Sequence, residues 1–244
     1  MIKNRLTLIN EKYPLVYLLI LLGVIFGFIS ILNDNNNFFI LFLQTLTSMI
    51  GNLFLFFALY IVSKRTSDQY FHNYNYVIRN KNYKKNFKEN IKIITFNVLY
   101  FYLIYTLLIV SISLIFSIDG KSIIIYNKYN INILLYDIFV FVKNGIILSL
   151  IFRIISILNS LNNKNINIFL IILNLIMFTL TNYNNIIYHF YNMSVIPHNY
   201  ILNNLNFSSF YIDIISTILM IFILLIIENI LFDFIVKKRE IIWK

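Results

Sequence analysis

Six long apolar runs divide this 244-residue chain, and few folds accept such a pattern. They are Leu15–Leu32, Phe38–Val62, Ile93–Ile118, Ile133–Leu158, Ile166–Thr181 and Phe210–Val236. A bilayer hydrocarbon core about 30 Å thick is crossed by about 20 apolar residues in helical form. A helix satisfies its own backbone polar groups in lipid, so runs of this length predict transmembrane helices. The fifth run is the shortest and carries Asn174. Only 12% of the residues are charged and 59% are hydrophobic, with mean hydropathy +0.77. Soluble domains hold about 25% charged residues, so a soluble globular enzyme is excluded. The expected fold is an all-α, polytopic integral membrane protein with six transmembrane helices, forming one transmembrane domain over residues 1–244.

The net charge of +10 does not point to nucleic acid, because it lies between the apolar runs rather than on one exposed surface. Its distribution sets an orientation instead. Seventeen Lys and Arg residues fall before the first run, in the second and fourth connections with their flanks, and in the tail. Only Lys121 and Lys128 fall on the opposite side, and Lys143 lies within a run. By the positive-inside rule both termini are expected in the cytoplasm. Met1–Pro14 with the first run is expected to be an uncleaved span, because Asn33–Asn37 offers no small-residue cleavage site. One alanine, Ala58, beside heavy Asn, Ile, Lys, Tyr and Phe usage is what A/T-rich codons give, which suggests the cell membrane of a low-GC bacterium. The absence of cysteine excludes disulfides and thiolate metal sites.

The cytoplasmic connection 64–92 is the longest charged stretch. Thr66 and Gln69 have capping-box spacing, predicting a helix start there. Tyr70, Phe71, Tyr74, Val77 and Ile78 then fall on one helical face. A basic run from Arg79 to Lys92 follows. Two readings stay open: a basic interfacial helix held by anionic membrane lipid, or a helix that docks a cytoplasmic partner through its aromatic face. The outer connection 182–209 is uncharged and aromatic, and is expected to sit at headgroup level.

Other motifs carry less. His189 and His198 are nine residues apart without a nearby carboxylate, so no metal is expected. Asp119-Gly120-Lys121-Ser122 lacks the glycine a phosphate-binding loop needs, because Ile115 stands in its place. No catalytic constellation occurs, so neither an enzyme nor a cofactor is expected. Gly23 and Gly27 form a small-residue stripe, expected to pack against a span of the same chain, with a homodimer contact as the alternative. Asp137, Lys143 and Arg153 fall in the fourth run, and Asp213, Glu228 and Asp233 in the sixth. With Asp137 and Asp213 at the outer boundary, Arg153 and Glu228 share one depth, and either pair as ions or snorkel separately.

Six spans, a basic helical connection after the second and an aromatic outer connection before the last resemble the permease subunits of bacterial ABC exporters. The similarity is to the short ABC type-2 permease class, which includes bacteriocin export and self-immunity subunits. Tyr74-Asn75-Tyr76-Val77-Ile78-Arg79, leading to Tyr83-Lys84-Lys85, is similar to the connection after span two in those subunits. The resemblance implies a homo- or heterodimer of permease subunits driven by a separate ATPase subunit. It further implies Gln69–Ile78 as a coupling helix, with Tyr70, Phe71, Tyr74, Val77, Ile78 and Arg79 in contact, and Ser160–Asn165 as a smaller second contact. Transport of an apolar or peptidic substrate is the leading expectation. A secondary carrier or channel, and a non-transporting immunity or sensor protein, are the alternatives.

Overall fold

A computed structural model describes residues 13–30, 38–71, 83–116, 128–159 and 207–242. These form six helices and, among the described residues, no strand. They are α1 (Pro14–Ile29), α2 (Phe38–Thr47), α3 (Met49–Phe71), α4 (Tyr83–Phe116), α5 (Lys128–Asn159) and α6 (Phe207–Ile242). Among the described residues, three helical stretches are long and apolar enough to cross a membrane: Phe87–Phe116, Leu134–Asn159 and Thr217–Ile235. The fifth expected span, 166–181, and most of the outer connection lie outside the described residues.

Helix α1 starts with Pro14 at its first turn, where a missing amide costs nothing. It buries Val16, Ile20, Gly23, Val24 and Gly27 against α3, which makes one face of the otherwise apolar helix the packed one. A Cβ built on Gly23 would lie 2.9 Å from Phe54 Cβ, and one on Gly27 would lie 2.5 Å from Ser48 Oγ. The glycine stripe therefore serves an intrachain crossing, and the homodimer alternative loses this surface.

The second apolar run differs from its expectation as one continuous helix. It breaks at Ser48 into α2 and α3. The Ser48 hydroxyl accepts the Gly51 amide at 3.2 Å, capping α3, and Asn52 Nδ2 donates to the Leu46 carbonyl at 3.1 Å. Both bonds satisfy backbone groups that the interruption frees. Helix α2 buries every residue from Leu41 to Leu46, so it is enclosed by its neighbours.

The helix start expected at Thr66 and Gln69 is also corrected. Thr66 lies inside α3, its hydroxyl donating back to the Val62 carbonyl at 2.8 Å, and Ser67 does the same to Ser63 at 2.9 Å. Such back-bonding satisfies a hydroxyl without ending the helix. The connection 64–92 is therefore helical at both ends, since α3 runs on to Phe71 and α4 begins at Tyr83.

Helix α5 is the axis of the bundle, with 67% of its apolar stretch buried against 17% for that of α6. Phe152 of α5 meets Phe56 of α3 at 5.0 Å between ring centroids, and Phe141 stacks on Tyr102 of α4 at 5.5 Å. Helix α6 docks along one narrow stripe, Thr217, Leu224, Glu228 and Ile235, and exposes large apolar side chains elsewhere. Apolar exposure on that scale suits a lipid environment and not water.

Candidate functional site

Three polar features lie inside this apolar bundle. The first joins α3, α4 and α5. Asn90 Nδ2 donates to Ser156 Oγ at 2.7 Å, and the Ser156 and Ser67 hydroxyls meet at 2.7 Å. Because Ser67 spends its proton on the Ser63 carbonyl, Ser156 is the donor in that contact. The bonds thus run in one direction from Asn90 through Ser156 and Ser67 to the α3 backbone. Ser63 donates to the Phe152 carbonyl at 3.3 Å, and Asn97 Nδ2 to Thr66 Oγ1 at 3.4 Å. All of these side chains are buried, so the junction fixes how the three helices are rotated about their axes. Sequence reading missed it. The available signal was the seven-residue spacing of Asn90 with Asn97 and of Ser149 with Ser156, which puts each pair on one helical face.

The second feature is the ion pair between α5 and α6. Arg153 sends Nε to Glu228 Oε1 at 2.9 Å and Nη2 to the same oxygen at 2.6 Å. The Glu228 side chain is 6% exposed and that of Arg153 26%. The guanidinium therefore reaches the bundle surface while the carboxylate stays inside.

The third surrounds the Ser48 break. A Cβ on Gly51 would lie 2.5 Å from Ser48 Oγ and 2.6 Å from the Tyr105 hydroxyl, so both hydroxyls close on this glycine. One helical turn before Tyr105, Tyr102 donates to the Phe141 carbonyl at 3.1 Å, and its ring lies 3.3 Å from a Cβ built on Gly145. Lys143 and Asn144 thus lie within about a turn of the break in depth. Asp137 lies seven residues before Asn144 on the same face of α5. All three are buried, with Lys143 Nζ 5.5 Å from the Phe139 ring centroid. The Oδ1 atoms of Asp137 and Asn144 have no hydrogen-bond partner among the described residues. Asp137 lies three residues inside the apolar stretch that begins at Leu134, with its side chain enclosed.

The expected partner-contact residues are placed only in part. Tyr70 and Phe71 end α3, while Tyr74, Val77, Ile78 and Arg79 lie outside the described residues, as do Ser160–Asn165, His189 and His198. No protein-family model, curated protein or solved structure matches this chain.

Proposed function

We propose that the chain is a permease subunit of a bacterial ABC exporter, a multi-pass protein of the cell membrane with six spans and both termini in the cytoplasm. It forms the pathway with a second permease, identical or different, for an apolar or peptidic substrate. A separate ATPase drives it, because this chain carries no nucleotide-binding motif. The observation that carries this reading is the extension of α3 and α4 beyond the apolar zone to Phe71 and Tyr83, with the Asn90–Ser156–Ser67 junction tying both to α5. Residues 72–82, which include Tyr74, Val77, Ile78 and Arg79, are therefore joined at each end to a helix hydrogen-bonded into the bundle. Displacement of that segment passes to the central helix.

Copurification tests it. A single ATPase should accompany the tagged protein from its native membranes, and Phe71→Ala with Tyr74→Ala should release it while leaving the permease inserted. Truncated aromatic hot spots commonly cost about 2 kcal/mol or more each. Wild-type protein that brings down no ATPase defeats the reading.

One observation favours a second reading, a secondary carrier or channel. Such proteins place ligands beside interrupted helices, and here the α2–α3 break lies near the depth of buried Asn144, with Asp137 two turns along the same face. Substrate flux in proteoliposomes driven by an ion gradient without nucleotide selects this alternative.

A further inference from the structure

The outward face of α4 changes character within a single turn. Lys84, Lys88 and Lys92 repeat every four residues and are exposed. The same face then continues as Phe96, Leu99, Leu103 and Leu107, on to Leu114, all exposed and apolar. From Phe96 to Leu114 the rise is about 27 Å at 1.5 Å per residue, close to the roughly 30 Å of a hydrocarbon core. Phe87, Asn90 and Ile94 on the opposite face are buried, so the helix cannot rotate to hide its lysines.

Tertiary contacts bring further cations near this level. The Thr66–Asn97 bond and the Ser67–Ser156–Asn90 chain set Lys64 and Arg65 of α3 about one turn above Lys92, at the level of Phe96. The Arg65 guanidinium lies 5.5 Å over the Tyr13 ring, which packs edge-on against Phe101, so it is held above the lysine stripe. Arg153, one turn before Ser156, brings its surface-reaching guanidinium to this band. Besides Glu228, which pairs with Arg153, the acidic residues at this end of the described helices, Asp68, Glu89, Asp233 and Glu240, are fewer than the exposed cations Lys64, Arg65, Lys84, Lys85, Lys88 and Lys92.

We propose that the Lys84–Lys88–Lys92 stripe seats the phosphate headgroups of an anionic phospholipid leaflet, with the hydrocarbon boundary between Lys92 and Phe96. The uninterrupted passage from lysine to apolar side chains on one helix face is what selects lipid. A soluble acidic partner would match the lysines and leave the apolar turns bare. This rests on the membrane placement proposed above but not on the permease assignment.

The test uses the full chain in mild detergent, offered phosphatidylglycerol or phosphatidylcholine at equal concentration, with retained lipid counted by native mass spectrometry. Wild-type protein retains phosphatidylglycerol preferentially. The triple variant Lys84→Gln, Lys88→Gln, Lys92→Gln loses that preference by roughly fivefold per lysine, the equivalent of about 1 kcal/mol each, and keeps its phosphatidylcholine. Salt at about 0.5 M reproduces the loss, and the corresponding triple arginine variant retains the preference. Lys88→Gln alone provides the same readout at smaller amplitude if the triple variant does not fold. Equal retention of both lipids by wild type overturns the proposal while leaving the membrane placement intact. A glutamine variant that sheds a copurifying protein but keeps its phosphatidylglycerol preference overturns it too.

Discussion

Arg153 donates twice to a single oxygen of Glu228, Oε1, while Oε2 of the same carboxylate has no partner among the described residues. The pair is asymmetric, because the carboxylate is enclosed and the guanidinium reaches the surface. Removing one member of a buried pair leaves an uncompensated charge, which costs about 3–5 kcal/mol when the survivor cannot reach water. Arg153→Met strands the enclosed carboxylate and should cost about 3 kcal/mol. Glu228→Met leaves an arginine able to extend outward and should cost about 1 kcal/mol. The double variant should be close to the milder single one. Thermal unfolding in detergent measures all three, and strict additivity would mean the two side chains do not interact.

The glycine seam predicts a steric hierarchy. Gly27→Ala and Gly51→Ala each put a methyl about where the Ser48 hydroxyl lies, and turning that hydroxyl aside breaks the α3 cap. Each should destabilise by about 1–3 kcal/mol. Gly145→Ala meets the Tyr102 ring at 3.3 Å and Leu99 Cδ2 at an ordinary 3.7 Å, and should cost less than about 1 kcal/mol. Unfolding midpoints of the three variants check the order.

Ser156 both accepts from Asn90 and donates to Ser67. Ser156→Ala strands a buried amide, with an expected cost of about 1–3 kcal/mol. Ser149→Ala removes only a bond to its own helix backbone and should be nearly neutral. A junction without structural weight would make the two variants indistinguishable by hydrogen exchange and by midpoint.

The charge split predicts a labelling pattern that the cysteine-free chain makes clean to read. A single cysteine at Asn35, Asn127 or Asn199 should react from outside intact cells. One at Asn82 or Lys164 should react only after permeabilisation. Outside labelling at Asn82 would sink the six-span topology.

How much of this was legible in the sequence differs by feature. Apolar run length indicated four helices near their observed places, because helix formation in a low-dielectric medium depends on local composition along one strand of chain. Some of their ends lie further out, as with α4 beginning at Tyr83 rather than Ile93, because inward residues such as Phe87 and Asn90 gain partners that their own sequence does not reveal. The break at Ser48 was written in Ser48, Gly51 and Asn52, but hydropathy alone passes over a cap inside an apolar run.

By itself the sequence determined the all-helical class, the apolar character of the helices and the strong bias of charge, because each is a property of composition and spacing along the chain. Only the tertiary structure decided which polar faces meet. Asn90 and Ser156 are 66 residues apart, Arg153 and Glu228 are 75, and Ser67 and Ser156 are 89. The same holds for Gly23 and Gly27, whose stripe could serve any close crossing until Gly51 and Ser48 are brought against it. Helical periodicity says which residues share a face. The neighbour that face adopts is set by side-chain packing and by the cost of leaving a polar group unpaired in an apolar interior.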